Sequence, residues 1–115
     1  MTPRRAPSIL AALLLTACAA LPGADPSIYG ALSDADVREA AATVQLALET
    51  RSDNETVAWD NGATGAAGSV TPVRTYVSTG GYFCRQYREE IFVGGRTGDF
   101  HNTACRSETG RWVWI

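Results

Sequence analysis

Residues 82–106, YFCRQYREEIFVGGRTGDFHNTACR, are typical of a β-hairpin. Gly94 and Gly95 divide two runs of strand-forming residues, and glycine tolerates the positive φ angles that a two-residue hairpin turn requires. If these glycines form the turn, Val93 faces Arg96. The numbers of facing residues then sum to 189 along the whole hairpin.

This register places Cys84 opposite Cys105, because their numbers also sum to 189. Counting outward from the turn, the two cysteines fall on a non-hydrogen-bonded pair, where side chains approach most closely. A cross-strand disulfide is therefore predicted. The same register sets Glu90 against Asp99, an unfavourable like-charge pair. A β-bulge could relieve this repulsion and would shift the register.

The sequence before the hairpin predicts one α-helix. Ser33 suits the N-cap, Asp36 the third helical position of a capping box, and Leu32 can contact Val37 as a hydrophobic staple. The helix is expected to end near residues 50–52. Its apolar stripe at helical spacing comprises Val37, Ala41, Val44 and Leu48.

Short strands flank the hairpin and complete an α+β prediction: one N-terminal helix packed on a four- or five-stranded antiparallel sheet. The further strands are expected at Thr56–Trp59, Val70–Val77 and Arg111–Ile115, with a loop at Asn61–Gly68. The residues expected to face the helix are Trp59, Tyr76, Phe83, Tyr87 and Ile91. Trp112 and Trp114 share a face by the period of two, and we expect them to cover the sheet rather than to form a ligand platform.

The N-terminus is typical of a secretory signal peptide. Arg4 and Arg5 precede an apolar run, Ile9–Leu15, that is too short to span a bilayer. Leu15-Thr16-Ala17-Cys18 resembles the lipobox of bacterial lipoprotein precursors, which implies cleavage before Cys18 and its modification with diacylglycerol. The alternative is an ordinary signal peptide with a chance cysteine. The predicted organisation is a signal peptide at 1–17, an acylated N-terminus and flexible tether at 18–31, and the α+β domain at 32–115.

The charge balance and the numbers of cysteine and histidine residues limit the classes of ligand and partner that the chain can bind. Without Arg4 and Arg5, eight of the ten basic side chains remain against twelve acidic ones, so the net charge falls from −2 to −4. This acidity argues against nucleic acid, which needs a clustered basic face. Attachment to the membrane would depend on the lipid anchor. Lipidation of Cys18 leaves the other two cysteines to pair, and the single histidine, His101, argues against a zinc site.

A series of residues in the second half resembles a known family. The series is Trp59, Gly68-Ser69-Val70-Thr71-Pro72, Cys84-Arg85-Gln86-Tyr87, Gly94-Gly95, Thr103-Ala104-Cys105-Arg106 and Gly110-Arg111-Trp112. Its order and spacing resemble the C-terminal domain of the outer-membrane surface antigen family, over about residues 45–115. The resemblance implies an outer-membrane lipoprotein with a small α+β domain and implies no known reaction. Many relatives carry a glycine-zipper segment after the lipid anchor, where this chain has only the short tether.

The candidate binding residues are polar side chains of the hairpin. Arg85, Tyr87, Arg88 and Arg106 form a possible patch for a carboxylate or an anionic sugar. The alternative is that they pack and hydrogen-bond across strands around the disulfide. No catalytic set is predicted: His101 stands alone, and the adjacent Glu89 and Glu90 point to opposite faces of a strand. We expect no metal and no cofactor.

Two functions follow. The first is a non-enzymatic outer-membrane lipoprotein of the cell envelope with a structural or interaction role, held on the membrane by its anchor and bound to an envelope protein. Ala19 after the lipidated cysteine, in place of an inner-membrane retention aspartate, favours the outer membrane. The alternative is a periplasmic binding or inhibitory lipoprotein, for example one that inserts the loop Asn61–Gly68 into a cell-wall hydrolase.

Overall fold

The computed structural model describes residues 26–115, so the predicted signal peptide and Cys18 lie outside the described residues. The chain forms a 3₁₀ helix and one α-helix, followed by five strands in an antiparallel sheet of sequential order. The elements are the 3₁₀ helix Pro26–Ala31, α1 Asp34–Thr50, β1 Val57–Asn61, β2 Ala66–Val77, β3 Phe83–Val93, β4 Arg96–Arg106 and β5 Trp112–Trp114. The α+β prediction is confirmed.

The β3–β4 hairpin has the predicted register. Cys84 pairs with Cys105 and forms a disulfide, with the two Cα atoms 4.0 Å apart. Glu90 faces Asp99 without a bulge in this hairpin. The guanidinium of Arg88, on the same face, relieves the repulsion because it forms ion pairs with both carboxylates; its Nη2 lies 2.9 Å from Asp99 Oδ2.

Helix α1 begins as predicted, with a capping box. The Ser33 N–H donates to Asp36 Oδ2 at 3.0 Å, and the Asp36 N–H donates to Ser33 Oγ at 3.1 Å. The predicted apolar stripe is only half right, because Val37 is 45 % exposed and Ala41 is also exposed. The residues that α1 buries are Asp36, Ala40, Thr43, Val44, Ala47 and Leu48.

Asp36 explains this rotation of the helix. Its Oδ1 accepts hydrogen bonds from Asn61 Nδ2 and Thr64 Oγ1, both at 2.8 Å, which turns the carboxylate toward the β1–β2 hairpin. Burial opposes ionisation, but these bonds and those from Ser33 lower the pKa of Asp36. These hydrogen bonds at the start of α1 therefore determine which face of the helix packs against the sheet. The face that packs is the one that carries the buried alanines.

The predicted set of helix-facing sheet residues is corrected at two positions. Trp59, Tyr87 and Ile91 are buried as expected. The register shifts between Pro72 and Arg74, and this β-bulge turns Tyr76 to the opposite face, where the Arg74 guanidinium lies 5.2 Å from its ring centroid. Phe83, the first residue of β3, remains 58 % exposed.

The predicted tether is also too long. Residues 26–31 form the 3₁₀ helix, and Ile28 within it is fully buried. The ring of Tyr29 packs on Phe100, with centroids 4.9 Å apart. The folded domain therefore begins by Pro26 rather than at residue 32, because two apolar side chains hold a segment whose prolines and glycines suggested an irregular linker.

Candidate functional site

The structure does not gather the four residues of the predicted binding patch. Strand alternation places Arg85 and Tyr87 on the face of the sheet that α1 covers, whereas Arg88 points to the opposite face. Arg106 pairs with Trp112 on the helix side. A single anion site built from all four side chains is therefore not present in the described domain.

Arg85 instead holds the end of α1. Its side chain is buried; Nη1 donates to the Leu48 carbonyl at 2.7 Å and Nη2 to Asp53 Oδ1 at 2.8 Å. The last turn of α1 contains no basic residue, so Arg85 supplies the positive charge that favours a helix C-terminus. The hydrogen bond from Arg85, together with one from Thr75, lowers the pKa of Asp53.

Arg106 joins the sheet to the same helix. Its Nε donates to Glu49 Oε2 at 3.0 Å and its Nη2 to Glu49 Oε1 at 3.2 Å, and Trp112 Nε1 also donates to Oε2 at 2.9 Å. The bonds from Arg106 and Trp112 lower the pKa of Glu49. The arginines of the predicted patch thus bind carboxylates of the domain itself.

The predicted loop Asn61–Gly68 is much shorter in the structure. Asn61 pairs with Ala66 and Trp59 pairs with Gly68, so only residues 62–65 connect β1 to β2. The Gly65 N–H donates to the Asn61 carbonyl at 2.8 Å and closes a tight turn. The extended loop on which the hydrolase-inhibitor hypothesis depended is therefore absent from this hairpin.

A groove that no pattern in the sequence indicates lies between the 3₁₀ helix, the first half of α1 and β5. Its volume is about 500 Å³ and its walls are mainly apolar. Val37 and Ala41, expected in the core, line it instead, and so does Trp114, which is 64 % exposed. The other lining residues are Tyr29, Leu32, Ala40, Val44, Gln45, Glu89, Arg111, Trp112 and Val113.

Among the described residues that line this apolar groove, one carries a carboxylate. Glu89 is only 2 % exposed, and its Oε1 accepts a hydrogen bond from the Tyr29 hydroxyl at 2.5 Å. Burial raises the pKa of Glu89, and the bond from Tyr29 only partly opposes that shift. Tyr87 lies on the same face and accepts from Trp114 Nε1 at 2.5 Å; burial raises its pKa to about 12. The groove thus combines exposed aromatic surface with a desolvated acid.

The raised pKa of Glu89 predicts a pH dependence of stability. The folded protein retains the proton to a higher pH than the unfolded chain, so the free energy of unfolding falls as pH rises above the ordinary glutamate value of 4.5. We expect Glu89→Gln, which keeps an acceptor for Tyr29, to be more stable than the wild type at pH 7 and to lose this dependence. Urea denaturation between pH 4.5 and 8 measures both effects.

The matched control is Glu108→Gln, which neutralises an exposed carboxylate in the turn before β5. Its stability is expected to follow the wild-type pH profile apart from a constant offset. A Glu89→Gln variant that is less stable than the wild type at pH 7 and equally pH-dependent would show that burial does not disfavour the charge of Glu89.

Two further features of residues 26–115 bear on function. None of the helices described there is long and apolar enough to cross a membrane. In the same range, no three side chains among histidine, cysteine, aspartate and glutamate come together as a metal-binding group would require.

Comparison with known proteins places this domain in a family. A family model described as "17 kDa outer membrane surface antigen" matches residues 46–113, which run from the second half of α1 into β5. The chain belongs to this surface antigen family. The sequence resemblance over residues 45–115 is thereby confirmed.

Individual members of the surface antigen family show the same relationship. The chain is 37 % identical over 81 residues to the 17 kDa surface antigen of Rickettsia conorii, covering 70 % of this chain and 51 % of the relative. It is 35 % identical over 85 residues to that of Rickettsia bellii, covering 74 % and 54 %. The chain therefore spans about half the length of the curated relatives it matches. No solved structure matches it.

Proposed function

We propose that the protein is a non-enzymatic lipoprotein of the outer membrane, anchored through acyl chains on Cys18, whose folded domain binds another component of the cell envelope. The observation that carries this proposal is Leu15-Thr16-Ala17-Cys18 upstream of a domain of the surface antigen family. Two or more acyl chains give stable membrane attachment where one chain gives only marginal binding.

The groove supports a binding role for the domain. Exposed Val37, Val113 and Trp114 line a mostly apolar concave surface, and aromatic residues are enriched in protein interfaces. Arg85 forms an ion pair with Asp53, and Arg106 forms one with Glu49. These two arginines on the helix side of the sheet therefore stabilise the fold. Recognition of a partner through the groove fits this arrangement better than chemistry on a substrate.

Replacement of Cys18 tests the anchor. Cells supplied with an alkyne fatty acid are expected to label the wild-type protein and not Cys18→Ser, because serine lacks the sulfur that accepts the diacylglycerol. Sucrose-gradient fractionation is expected to find the wild type with the outer membrane and the variant as soluble or unprocessed precursor. Ala19→Ser introduces the same side chain one residue later and is expected to behave as the wild type. Equal labelling of Cys18→Ser and the wild type would contradict the proposal.

A further inference from the structure

At one residue of the outer edge of β5, a side chain makes the backbone hydrogen bonds that a neighbouring strand would make. The Trp112 N–H donates to Gln45 Oε1 at 2.9 Å, and Gln45 Nε2 donates to the Trp112 carbonyl at 2.7 Å. These are the two bonds that a residue of a neighbouring antiparallel strand would make. The Gln45 amide therefore closes the sheet edge at Trp112.

Within residues 26–115, no side chain bonds to the backbone of the next edge position of β5, Trp114. The Ile115 N–H donates to the Thr103 carbonyl, and the Ser107 N–H donates to the Arg111 carbonyl. The odd-numbered residues of the segment 111–115 therefore direct their backbone N–H and carbonyl groups toward β4. By alternation, Trp114 directs its N–H and carbonyl away from β4. Ala41 precedes Gln45 by one helical turn and lies on the same side of α1, and it lines the same groove as Trp114. A methyl group makes neither bond.

The groove lies beside this edge position, because Trp114 is one of its lining residues. The other lining residues determine which side chains of a bound peptide would fit there. Val37, Ala41 and Trp114 supply apolar walls, and Glu89 supplies a desolvated carboxylate whose partner among the described residues is the hydroxyl of Tyr29. A positive side chain complements that carboxylate, and the acidic balance of the chain without Arg4 and Arg5 favours a basic partner. Backbone pairing at a strand edge, with side-chain pockets alongside, is a recurrent mode of peptide recognition.

We propose that an extended peptide segment of an envelope partner adds as a strand to the outer edge of β5 at Trp114, between β5 and α1, and directs a basic side chain to Glu89. This inference rests on the proposed binding role of the domain and names the class of partner. Pairing through the backbone fixes the peptide at Trp114, and the carboxylate of Glu89 selects its side chain.

The structure supplies a matched pair of variants. Ala41→Gln places at Trp114 the same amide that closes the edge at Trp112, and Ala41 is exposed, so the fold tolerates the change. Ala42→Gln adds the same side chain at an exposed neighbour outside the groove. The probe is a blocked octapeptide of alternating valine and lysine, titrated into the isotope-labelled, acylated full-length protein in detergent micelles.

Backbone amide NMR shifts are expected to change saturably at Trp114 and along α1 near Ala41. Ala41→Gln is expected to weaken binding at least tenfold, while Ala42→Gln stays within twofold of the wild type. Methylation of alternate backbone nitrogens of the peptide is expected to abolish binding, because it removes the donors for the sheet edge. Norleucine in place of lysine is expected to weaken binding to the wild type and not to Glu89→Gln.

The inference would be overturned by equal binding to Ala41→Gln and Ala42→Gln, by equal binding of the methylated peptide, or by shifts confined to the opposite face of the sheet. Concentration-dependent shifts at Trp114 without peptide would also overturn it, since a second copy of the chain would then occupy the edge. Failure of the peptide with an intact lipid anchor refutes this inference alone, whereas loss of Cys18 labelling in the wild type refutes the anchor and leaves the edge site standing.

Discussion

We expect the Cys105→Ala variant to lose about 2–5 kcal/mol of unfolding free energy, the usual effect of removing a native disulfide from a small secreted domain. The bond closes a loop with a sequence separation of 21 residues, for which chain entropy in the unfolded state accounts for about 3 kcal/mol. A domain of this size has only about 5–15 kcal/mol in total. The loss therefore unfolds a substantial fraction of the protein at elevated temperature.

Urea denaturation with and without dithiothreitol measures this effect and supplies its own control. The reductant is expected to destabilise the wild type by a similar amount and to leave Cys105→Ala unchanged, because the variant has no bond to reduce. Thr103→Ala, on the same strand and face, controls for the loss of side-chain volume. A wild-type protein whose midpoint is insensitive to the reductant would show that the bond does not contribute to stability.

The hairpin was predictable because its register depends on local information. Gly94 and Gly95 fix the turn, the turn fixes the pairing, and the pairing places Cys84 opposite Cys105. The repulsion between Glu90 and Asp99 gave a reason to doubt this register. Arg88 relieves this repulsion, because it lies on the same face of the sheet and its guanidinium forms ion pairs with both carboxylates.

The helix face was harder to predict because two faces of α1 are apolar enough to be buried. Spacing of large side chains favoured Val37 and Ala41, whereas the protein buries Asp36 and Ala40. The deciding contacts join Asp36 to the turn between β1 and β2, about 25 residues later in the chain. A capping residue is normally expected at the surface, so neither composition nor periodicity signals that it belongs to the interior.

The groove could not be predicted from the sequence, because it too depends on contacts between distant segments of the chain. Its walls come mainly from the 3₁₀ helix, α1 and β5, which are far apart in the sequence and meet only in the folded domain. Strand alternation correctly separated Glu89 from Glu90, but it did not show that Tyr29 would reach Glu89 from a segment expected to be a tether. Trp112 and Trp114 share a face as predicted, yet only Trp112 of the two is buried, whereas Trp114 lines the groove and is 64 % exposed.

Gly68→Ala is expected to be the most damaging single methyl addition in the sheet, with a loss of about 3 kcal/mol, the upper end of the typical range for overpacking. A Cβ atom at this position would clash with the indole ring of Trp59 and would lie 2.7 Å from the backbone carbonyl oxygen of Glu90. Trp59 pairs directly with Gly68 across β1 and β2, and its indole is buried. The carbonyl belongs to β3, the central strand of the sheet, so the backbone there cannot move aside to make room.

Gly62→Ala is the matched control, because a Cβ atom there meets nothing within 4 Å and the glycine has no positive φ. Its unfolding free energy, measured by urea denaturation, is expected to stay unchanged or to rise by about 0.4–1 kcal/mol through reduced entropy of the unfolded chain. The double variant Gly68→Ala with Trp59→Phe is expected to lose less than the sum of the single changes, since residues in contact are not additive. Strict additivity would show that the indole does not require the glycine. Coupling would explain physically why Trp59 and Gly68 both belong to the residue series that the surface antigen resemblance rested on.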